Sequence, residues 1–243
     1  MRYQPLGGSC EENLSMSSRR SLLKGASVAA AALLMRGQSS ASTRLTPTPF
    51  LGAGPFYPRD PSGLPLLSTE ISIPDPLTND LTQNGGKGRA KGRHIHVSGR
   101  VLDTTGRPLA GAIVEIWSVN VSNIYHVQDA GASDPNFAGF GATITDASGR
   151  YSFKTIRPQG YDRYLGLIRR TAHIHFLVKA AGGEVFTTEM WFADEPRNSI
   201  DALFRRITDP GLRSRMAVVI SRNNGVDRGR FDLVLAPQYA GRV

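Results

Sequence analysis

Cysteine is nearly absent from this chain of 243 residues, which contains only Cys10. A single thiol excludes an internal disulfide framework and every zinc site that requires several cysteines. The chain also lacks a phosphate-binding glycine loop and the helix–strand alternation that accompanies a nucleotide-binding sheet. These absences exclude a disulfide-stabilised scaffold and argue against a nucleotide-dependent enzyme.

Acidic residues are outnumbered, with 20 Asp and Glu against 29 Lys and Arg, for a formal net charge of +9. The basic residues are scattered through predicted strands and turns, without the aromatic-rich stripe of a nucleic-acid interface. This distribution favours a solvated basic surface. We therefore expect no nucleic-acid partner.

A long apolar run is also missing, since residues 26–35 are too few and too Ala-rich to span a membrane. They follow SRRSLLK at residues 18–24, which resembles the twin-arginine export consensus, and precede small residues at 39–41. We interpret residues 1–41 as a twin-arginine signal peptide. Its removal would leave a periplasmic or secreted protein with no membrane partner; an uncleaved amphipathic anchor is the alternative.

Residues 42–90 are rich in Pro and Gly, which leave few backbone donors for regular structure. This composition predicts an extended arm that lies over the domain or over a neighbouring subunit. From residue 91 the pattern changes to short alternating strands separated by turns, with one short helix near residues 200–207. For residues 91–243 we predict an all-β fold, an antiparallel two-sheet sandwich of about eight strands with long loops, like that of transthyretin (prealbumin).

The stretch RTAHIHFLV at residues 170–178 carries the most chemistry. On one continuous strand, His173 and His175 would share a face opposite Ile174 and Phe176, and both faces look buried. Two buried imidazoles need a partner, which is either a metal ion or a set of hydrogen bonds within the core. The second His-x-His, at residues 94–96, lies on a polar, solvent-facing stripe, so we assign it no metal; His126 is ambiguous.

Two loops flanking this stretch each carry an exposed-looking tyrosine, Tyr125 and Tyr161. Either one alone is explained as a packing or rim residue. With His173 and His175 they offer two phenolate oxygens and two imidazole nitrogens, a donor set that favours a trivalent metal, with iron(III) the best candidate. A copper or zinc site on the same histidines is a weaker alternative, and Tyr164 is a nearby rival to Tyr161.

Several motifs occur in an order that resembles the intradiol ring-cleavage dioxygenases, in particular the iron-bearing β chain of protocatechuate 3,4-dioxygenase and its exported relatives. The motifs are EIW at 115–117, Tyr125, DPNFAGFG at 134–141, TD at 145–146, GRY at 149–151, TIRP at 155–158, Tyr161 and RTAHIHF at 170–176. The likeness extends from about residue 54 to residue 235.

The resemblance implies that Tyr125, Tyr161, His173 and His175 ligate a non-haem Fe(III). It further implies that a catecholic substrate displaces the Tyr161 phenolate, which then accepts a substrate proton. Arg170 matches the arginine that stabilises developing negative charge. The implied reaction inserts both atoms of O2 into the catechol and gives a cis,cis-muconate-type diacid, and a homo-oligomer or a companion α chain is the implied assembly.

Three positions depart from the family pattern: Thr171 replaces the usual Pro, Glu189 replaces a common Gln, and Asp162-Arg163 replaces Pro-Trp after the second tyrosine. The last two bear on substrate identity more than on the iron site. A non-catalytic transthyretin-like binding module is the alternative function, because the turn–strand segments at 106–112 and 146–153 also resemble such modules.

Overall fold

β-Strands form most of the regular structure in a computed structural model, which describes residues 44–58, 77–85, 88–128, 134–163 and 165–241. The predicted signal peptide and Tyr164 lie outside the described residues. Within these residues the chain forms twelve strands, one 3₁₀ helix and three short α-helices. The fold is therefore mostly β, with few helices.

The first sheet is built around the longest strand, β1 (His94–Asp103), on which Ile95, Val97 and Val101 are buried. β4 (Arg150–Ile156) pairs with one edge of β1 in antiparallel orientation. β11 (Val226–Arg230) and β12 (Leu233–Leu235) run parallel to β1, and β10 (Ser221–Asn223) pairs antiparallel with β11. This sheet is consequently mixed.

The second sheet has the order β3 (Phe140–Ile144), β2 (Ile113–Trp117), β7 (His173–Lys179), β8 (Phe186–Phe192) and β9 (Ala217–Val218). The first three pairings are antiparallel, whereas β9 runs parallel to β8. A separate hairpin of β5 (Tyr161–Arg163) and β6 (Ile168–Arg170) precedes β7. β2 and β8 are buried along their whole length, as expected for strands covered on both faces.

Both sheets contribute to one apolar core. Phe176 of the second sheet packs against Tyr151 and Phe231 of the first, with ring centroids 5.9 and 5.1 Å apart. A smaller buried cluster, which includes Trp117, Tyr125 and Tyr161, lies apart from this core. The residues of β7 contribute to both clusters, because successive side chains point to opposite faces of a strand.

The prediction of purely antiparallel sheets was wrong for three pairings. The segment between β8 and β9 contains the 3₁₀ helix (Pro196–Ile200), α1 (Ala202–Arg206) and α2 (Pro210–Met216), and such a crossover allows β9 to run parallel to β8. The helix predicted near residues 200–207 corresponds to α1; α2 and α3 (Pro237–Ala240) were missed. Each is a single short segment that begins with Pro and has too few turns for a periodic signal.

The described parts of the predicted arm follow this chain's own strands. Residues 44–58 hydrogen-bond to β8 and β12, for example from Leu51 N to Thr187 O (2.8 Å) and from Thr48 N to Val234 O (2.8 Å). Residues 77–85 bond to β4, and the Leu81 side chain is fully buried. No helix within the described residues has the length and apolar character that a membrane span requires.

Candidate metal centre

β7 presents two imidazoles to the smaller buried cluster. His173 and His175 are both buried, and their neighbours Ile174 and Phe176 belong to the large core. The predicted alternation of this stretch is thus observed from His173 onward. Trp117 of β2 lies opposite His175 in the register, and the two rings stack with centroids 4.8 Å apart and planes 4° apart. This stacking fixes the plane of the His175 ring.

Both tyrosines reach the same point, Tyr125 from a loop and Tyr161 from a short strand. Tyr125 follows a turn in which Asn120 Oδ1 accepts hydrogen bonds from Ser122 N and Ile124 N, and its own N–H donates to Gln128 Oε1. Tyr161 is the first residue of β5. The two side chains are buried, not exposed as their loop sequences suggested, because neighbouring segments cover them. Phe56 of the arm, for instance, stacks on Tyr125 at 4.7 Å.

Three donor atoms lie around a fourth, Tyr125 Oη. This oxygen lies 3.0 Å from His175 Nε2, 3.2 Å from His173 Nε2 and 3.4 Å from Tyr161 Oη. Two ligands about 2.0–2.1 Å from one metal ion, at angles near 90–110°, lie roughly 2.8–3.4 Å apart. The observed spacings therefore fit a shared metal ion.

The orientation of His173 supports the same interpretation. Its Nδ1 lies 2.6 Å from the carbonyl oxygen of Thr171, which can only accept, so Nδ1 carries the proton. The lone pair of the neutral ring is then on Nε2, the atom that faces Tyr125. Metal-ligating histidines commonly show this arrangement, with the distal N–H bonded to a carbonyl or carboxylate. His173 is thus oriented as a ligand.

Burial keeps these four groups neutral in the protein alone. It lowers the pKa of His173 to about 3 and that of His175 well below the ordinary value. Burial also raises the pKa of the Tyr125 and Tyr161 phenols. A bound cation would reverse the effect on the phenols, because an adjacent positive charge favours phenolate.

Arg170 reaches the site from a different strand than predicted. The strand expected to begin at Arg170 instead begins at His173, and Arg170 is the last residue of β6, where it pairs with Tyr161. Asp201 Oδ2 accepts hydrogen bonds from Arg170 Nε and Thr171 N, both 3.0 Å long. This break between β6 and β7 turns the guanidinium toward the histidines.

Two buried carboxylates flank Arg170, with Asp201 at Nε and Glu189 Oε2 at Nη2. Burial raises the pKa of Glu189 to about 7, against the opposing charge of Arg170. Burial also acts to raise the pKa of Asp201, but the Arg170 charge and the Thr171 N–H outweigh it, so this pKa is lowered. Glu189 Oε1 lies 3.5 Å from His175 Nδ1, too long for a strong hydrogen bond.

Sequence reasoning identified Glu189 as a departure from a pattern and raised its pairing with Arg170 as one alternative, but it missed Asp201. The signal for Asp201 was available, because it stands directly before a short helix. Its Oδ1 accepts hydrogen bonds from Leu203 N and Phe204 N, as an N-cap does. Nothing in the sequence indicated that the other oxygen of the same carboxylate reaches Arg170.

The other histidines lie apart from this constellation. His94 Nε2 is 2.7 Å from Ala90 O, and the His126 ring lies 6.1 Å from that of Phe140. Among the described residues, one group of His and carboxylate side chains has the spacing of a metal site, namely His173, His175 and Glu189, whose donor atoms lie within 4.8 Å of one another.

A cavity of about 560 Å³ adjoins two of the four donors, Tyr161 and His175. The β5–β6 hairpin contributes Tyr161, Arg163 and Arg170 to its wall, and the arm contributes Gly54 and Phe56. The cavity also reaches His175 and Glu189, whereas Tyr125 does not line it. A small aromatic molecule in this space would contact Tyr161 and Arg170 directly.

Comparison with known proteins identifies the family. The family model Dioxygenase_C, described as "Dioxygenase", matches residues 68–237, which is more than half of the chain. The chain belongs to the intradiol ring-cleavage dioxygenases. Its enzyme class and its mostly β fold are those of this family.

This intradiol dioxygenase is 37% identical to the protocatechuate 3,4-dioxygenase β chain of Burkholderia cepacia over 66% of its own length and 72% of the relative. It is 36% identical to the hydroxyquinol 1,2-dioxygenase of Rhizobium sp. in an alignment that covers 47% of this chain and 42% of that relative. The dioxygenase domain of a carbohydrate-binding fusion from Streptomyces sp. SirexAA-E matches at 29% identity and a TM-score of 0.54, covering 79% of this chain and 99% of that domain.

Removing the charge of Asp201 should destabilise this dioxygenase in a pH-dependent way. We expect Asp201→Asn to lower the free energy of unfolding by about 2–4 kcal/mol at pH 7, because Arg170 loses a buried counter-ion. Since the folded-state pKa of Asp201 lies below 3.8, its contribution is present above pH 3.8 and is lost as the pH falls through the lower folded value. Urea unfolding from pH 7 down to pH 2.5 measures the difference between variant and wild type, which should shrink below pH 4.

Asp209→Asn is the matched control. Asp209 also caps a helix, since its Oδ1 accepts from Leu212 N, but none of the described residues forms an ion pair with it. Asn is an equally good cap, so we expect a change of less than about 0.5 kcal/mol. A difference for Asp201→Asn that stays constant down to pH 2.5 would contradict the ion-pair explanation.

Proposed function

We propose that this intradiol dioxygenase holds a non-haem Fe(III) through Tyr125, Tyr161, His173 and His175. The observation that carries the proposal is that the Tyr161 phenolic oxygen and the two imidazole Nε2 atoms lie 3.0–3.4 Å from Tyr125 Oη. Phenolates are hard, strongly donating ligands that suit a trivalent ion. Intradiol dioxygenases use non-haem Fe(III), so the family and the donor set agree.

A divalent ion held by His173, His175 and Glu189 is less well supported. Glu189 Oε2 is engaged by the Arg170 guanidinium, and that pair would have to break for this oxygen to bind a metal. Tyr125 Oη lies 3.2 Å from His173 Nε2 and 3.0 Å from His175 Nε2, and a divalent site built without this tyrosine makes no use of either contact. The tyrosine-containing set accounts for more of the observed contacts.

Bound iron would act as a Lewis acid and shift electron density within the substrate. Tyr161 is the tyrosine placed to take up a substrate proton at Oη, because it lines the cavity while Tyr125 is enclosed behind Phe56. The Arg170 guanidinium, which forms ion pairs with Asp201 and Glu189, lines the same cavity and stabilises negative charge that develops on the substrate.

The proposed reaction adds one O2 to a catechol-type ring. The bond between the two hydroxyl-bearing carbons breaks, both oxygen atoms enter the product, and a cis,cis-muconate-type diacid forms. Catechol loses electrons and O2 is reduced, so no other co-substrate is needed. A non-catalytic transthyretin-like binding module has no use for two buried phenols beside two neutral imidazoles, which favours the enzyme.

The sheet architecture, the assembly and the export route belong to the same proposal. We infer that the two sheets form a sandwich of the transthyretin type, supported by the core that they share. We also infer a homo-oligomer or a companion α chain, since the Burkholderia cepacia relative is named as a β chain. Export by the twin-arginine route is supported by residues 18–41 alone, and N-terminal sequencing of the secreted protein should begin near Ser42.

Iron binding is tested by the colour of the protein. We expect protein produced with iron to show a broad visible absorption from tyrosinate-to-Fe(III) charge transfer, and to consume oxygen with catechol, protocatechuate or hydroxyquinol. Tyr125→Phe and Tyr161→Phe should each weaken the visible band because a phenolate ligand is lost. Tyr239→Phe, which changes a ring stacked on Phe50, is the control and should keep the band. A colourless protein that binds no iron under these conditions would overturn the proposal.

Arg170→Ala tests the role of the guanidinium. We expect turnover to fall about 10²- to 10³-fold while iron and the visible band remain, because a preorganised positive charge near the reacting atoms is lost. Oxygen-uptake rates and metal analysis measure the two effects separately. Arg215→Ala, whose guanidinium bonds Thr46 O outside the site, should retain activity. Unchanged turnover in Arg170→Ala would remove this role.

A further inference from the structure

Arg163 is a cation in the cavity wall without a counter-ion among the described residues. Its Nη2 donates to Asn123 O at 2.9 Å and lies 3.4 Å from Gln128 Oε1, both of which are neutral acceptors. No carboxylate of the described chain forms an ion pair with it. Its Nε is buried and bonds to no described residue. A half-buried guanidinium without a counter-ion is unfavourable, and an anion bound in the cavity would stabilise it.

The hairpin directs Arg163 toward the proposed reaction centre. Tyr161 and Arg163 are two residues apart on β5 and therefore share a face, whereas Asp162 points to the other side and pairs with Arg197. The Arg163 guanidinium lies 5.2 Å from the Tyr161 ring centroid, and both residues line the cavity. A catechol whose hydroxyls lie at Tyr161 would therefore place a ring substituent, or a short side chain, at Arg163.

The other charged groups at the cavity are already engaged in ion pairs with each other. Arg170 lies between the carboxylates of Glu189 and Asp201, and Glu189 is itself engaged by Arg170. Glu189 therefore does not act as a free anion that would repel an acidic substrate. Arg163 is the charged residue of the cavity wall that has no ion-pair partner among the described residues. Complementary charge selects among ligands of similar shape.

We propose that Arg163 binds an anionic substituent and makes this enzyme selective for catechols that carry a carboxylate over neutral catechols of the same size. Because Nε is buried and Nη2 donates to Asn123 O, Nη1 is the group that can give a substrate carboxylate a charge-assisted hydrogen bond. Arg163 is a specificity-determining residue in this proposal and takes no part in the oxygen chemistry. The inference rests on the proposed function, because it assumes that the catechol ring occupies this cavity.

The experiment compares protocatechuate, which carries a ring carboxylate, with 4-methylcatechol, its neutral counterpart of similar size, on the iron-loaded enzyme. For the wild type we expect kcat/KM for protocatechuate to exceed that for 4-methylcatechol by about tenfold or more. Arg163→Gln should lower kcat/KM for protocatechuate about 10- to 100-fold, mainly through KM, and change 4-methylcatechol less than about threefold. Arg163→Lys, which keeps the charge but loses the fork, should give an intermediate loss.

Arg169→Gln is the matched control. Arg169 lies on the same hairpin but pairs in register with Asp162, on the face opposite Tyr161, and its Nε approaches only Gly166 O. We expect this variant to keep the wild-type ratio of the two substrates. Loss of the ratio in Arg169→Gln would show that general charge, and not the position of Arg163, controls selectivity.

Equilibrium binding of two unreactive phenols separates this inference from the proposed function. 4-Hydroxybenzoate should bind the wild type at least about tenfold more tightly than 4-methylphenol, and Arg163→Gln should abolish the difference. An enzyme that cleaves no catechol would refute the proposed function, whereas this binding comparison would still test Arg163. Equal or better use of 4-methylcatechol by the wild type, or an equal loss for both substrates in Arg163→Gln, would refute the role of Arg163.

Discussion

The buried carboxylate of Asp201 holds the arrangement on which the site depends. On one unbroken strand, Arg170 and His173 would point to opposite faces, since they are three residues apart. Asp201 Oδ2 instead accepts from both Arg170 Nε and Thr171 N, and Oδ1 caps α1. The chain therefore breaks between β6 and β7, and the arginine and the histidines reach one cavity from two strands. A single fully buried side chain thus joins α1, the last residue of β6 and the residue that follows it on the way to β7.

The histidine and tyrosine set was accessible from the sequence because it depends on short-range patterns. Alternation along a strand places His173 and His175 together whatever the rest of the fold, and the order of motifs added Tyr125 and Tyr161. The burial of the tyrosines was not accessible in this way. Phe56 covers Tyr125 from a segment about seventy residues earlier, and no local pattern reports such a contact.

The parallel pairings escaped prediction, and the sequence left the geometry of Arg170 undecided, for a related reason. The direction of a strand depends on the end of the sheet at which the preceding connection returns. The three short helical segments between β8 and β9 form a crossover connection, so β9 runs parallel to β8. Arg170 lay within a stretch that alternates well enough to be read as one strand. Its true position is set by Asp201, thirty-one residues later, whose carboxylate competes for the local backbone N–H.

Thr171 links the same break to the proton on His173. Its N–H donates to Asp201, and its carbonyl accepts from His173 Nδ1, so one residue's backbone both ends the hairpin and directs the Nε2 lone pair toward Tyr125. The intradiol pattern commonly has Pro here, and Pro has no N–H to give. Thr171 therefore adds a hydrogen bond to a buried carboxylate that the usual residue does not supply. Because its Oγ1 has no partner within the described residues, the contribution of Thr171 is made through the backbone.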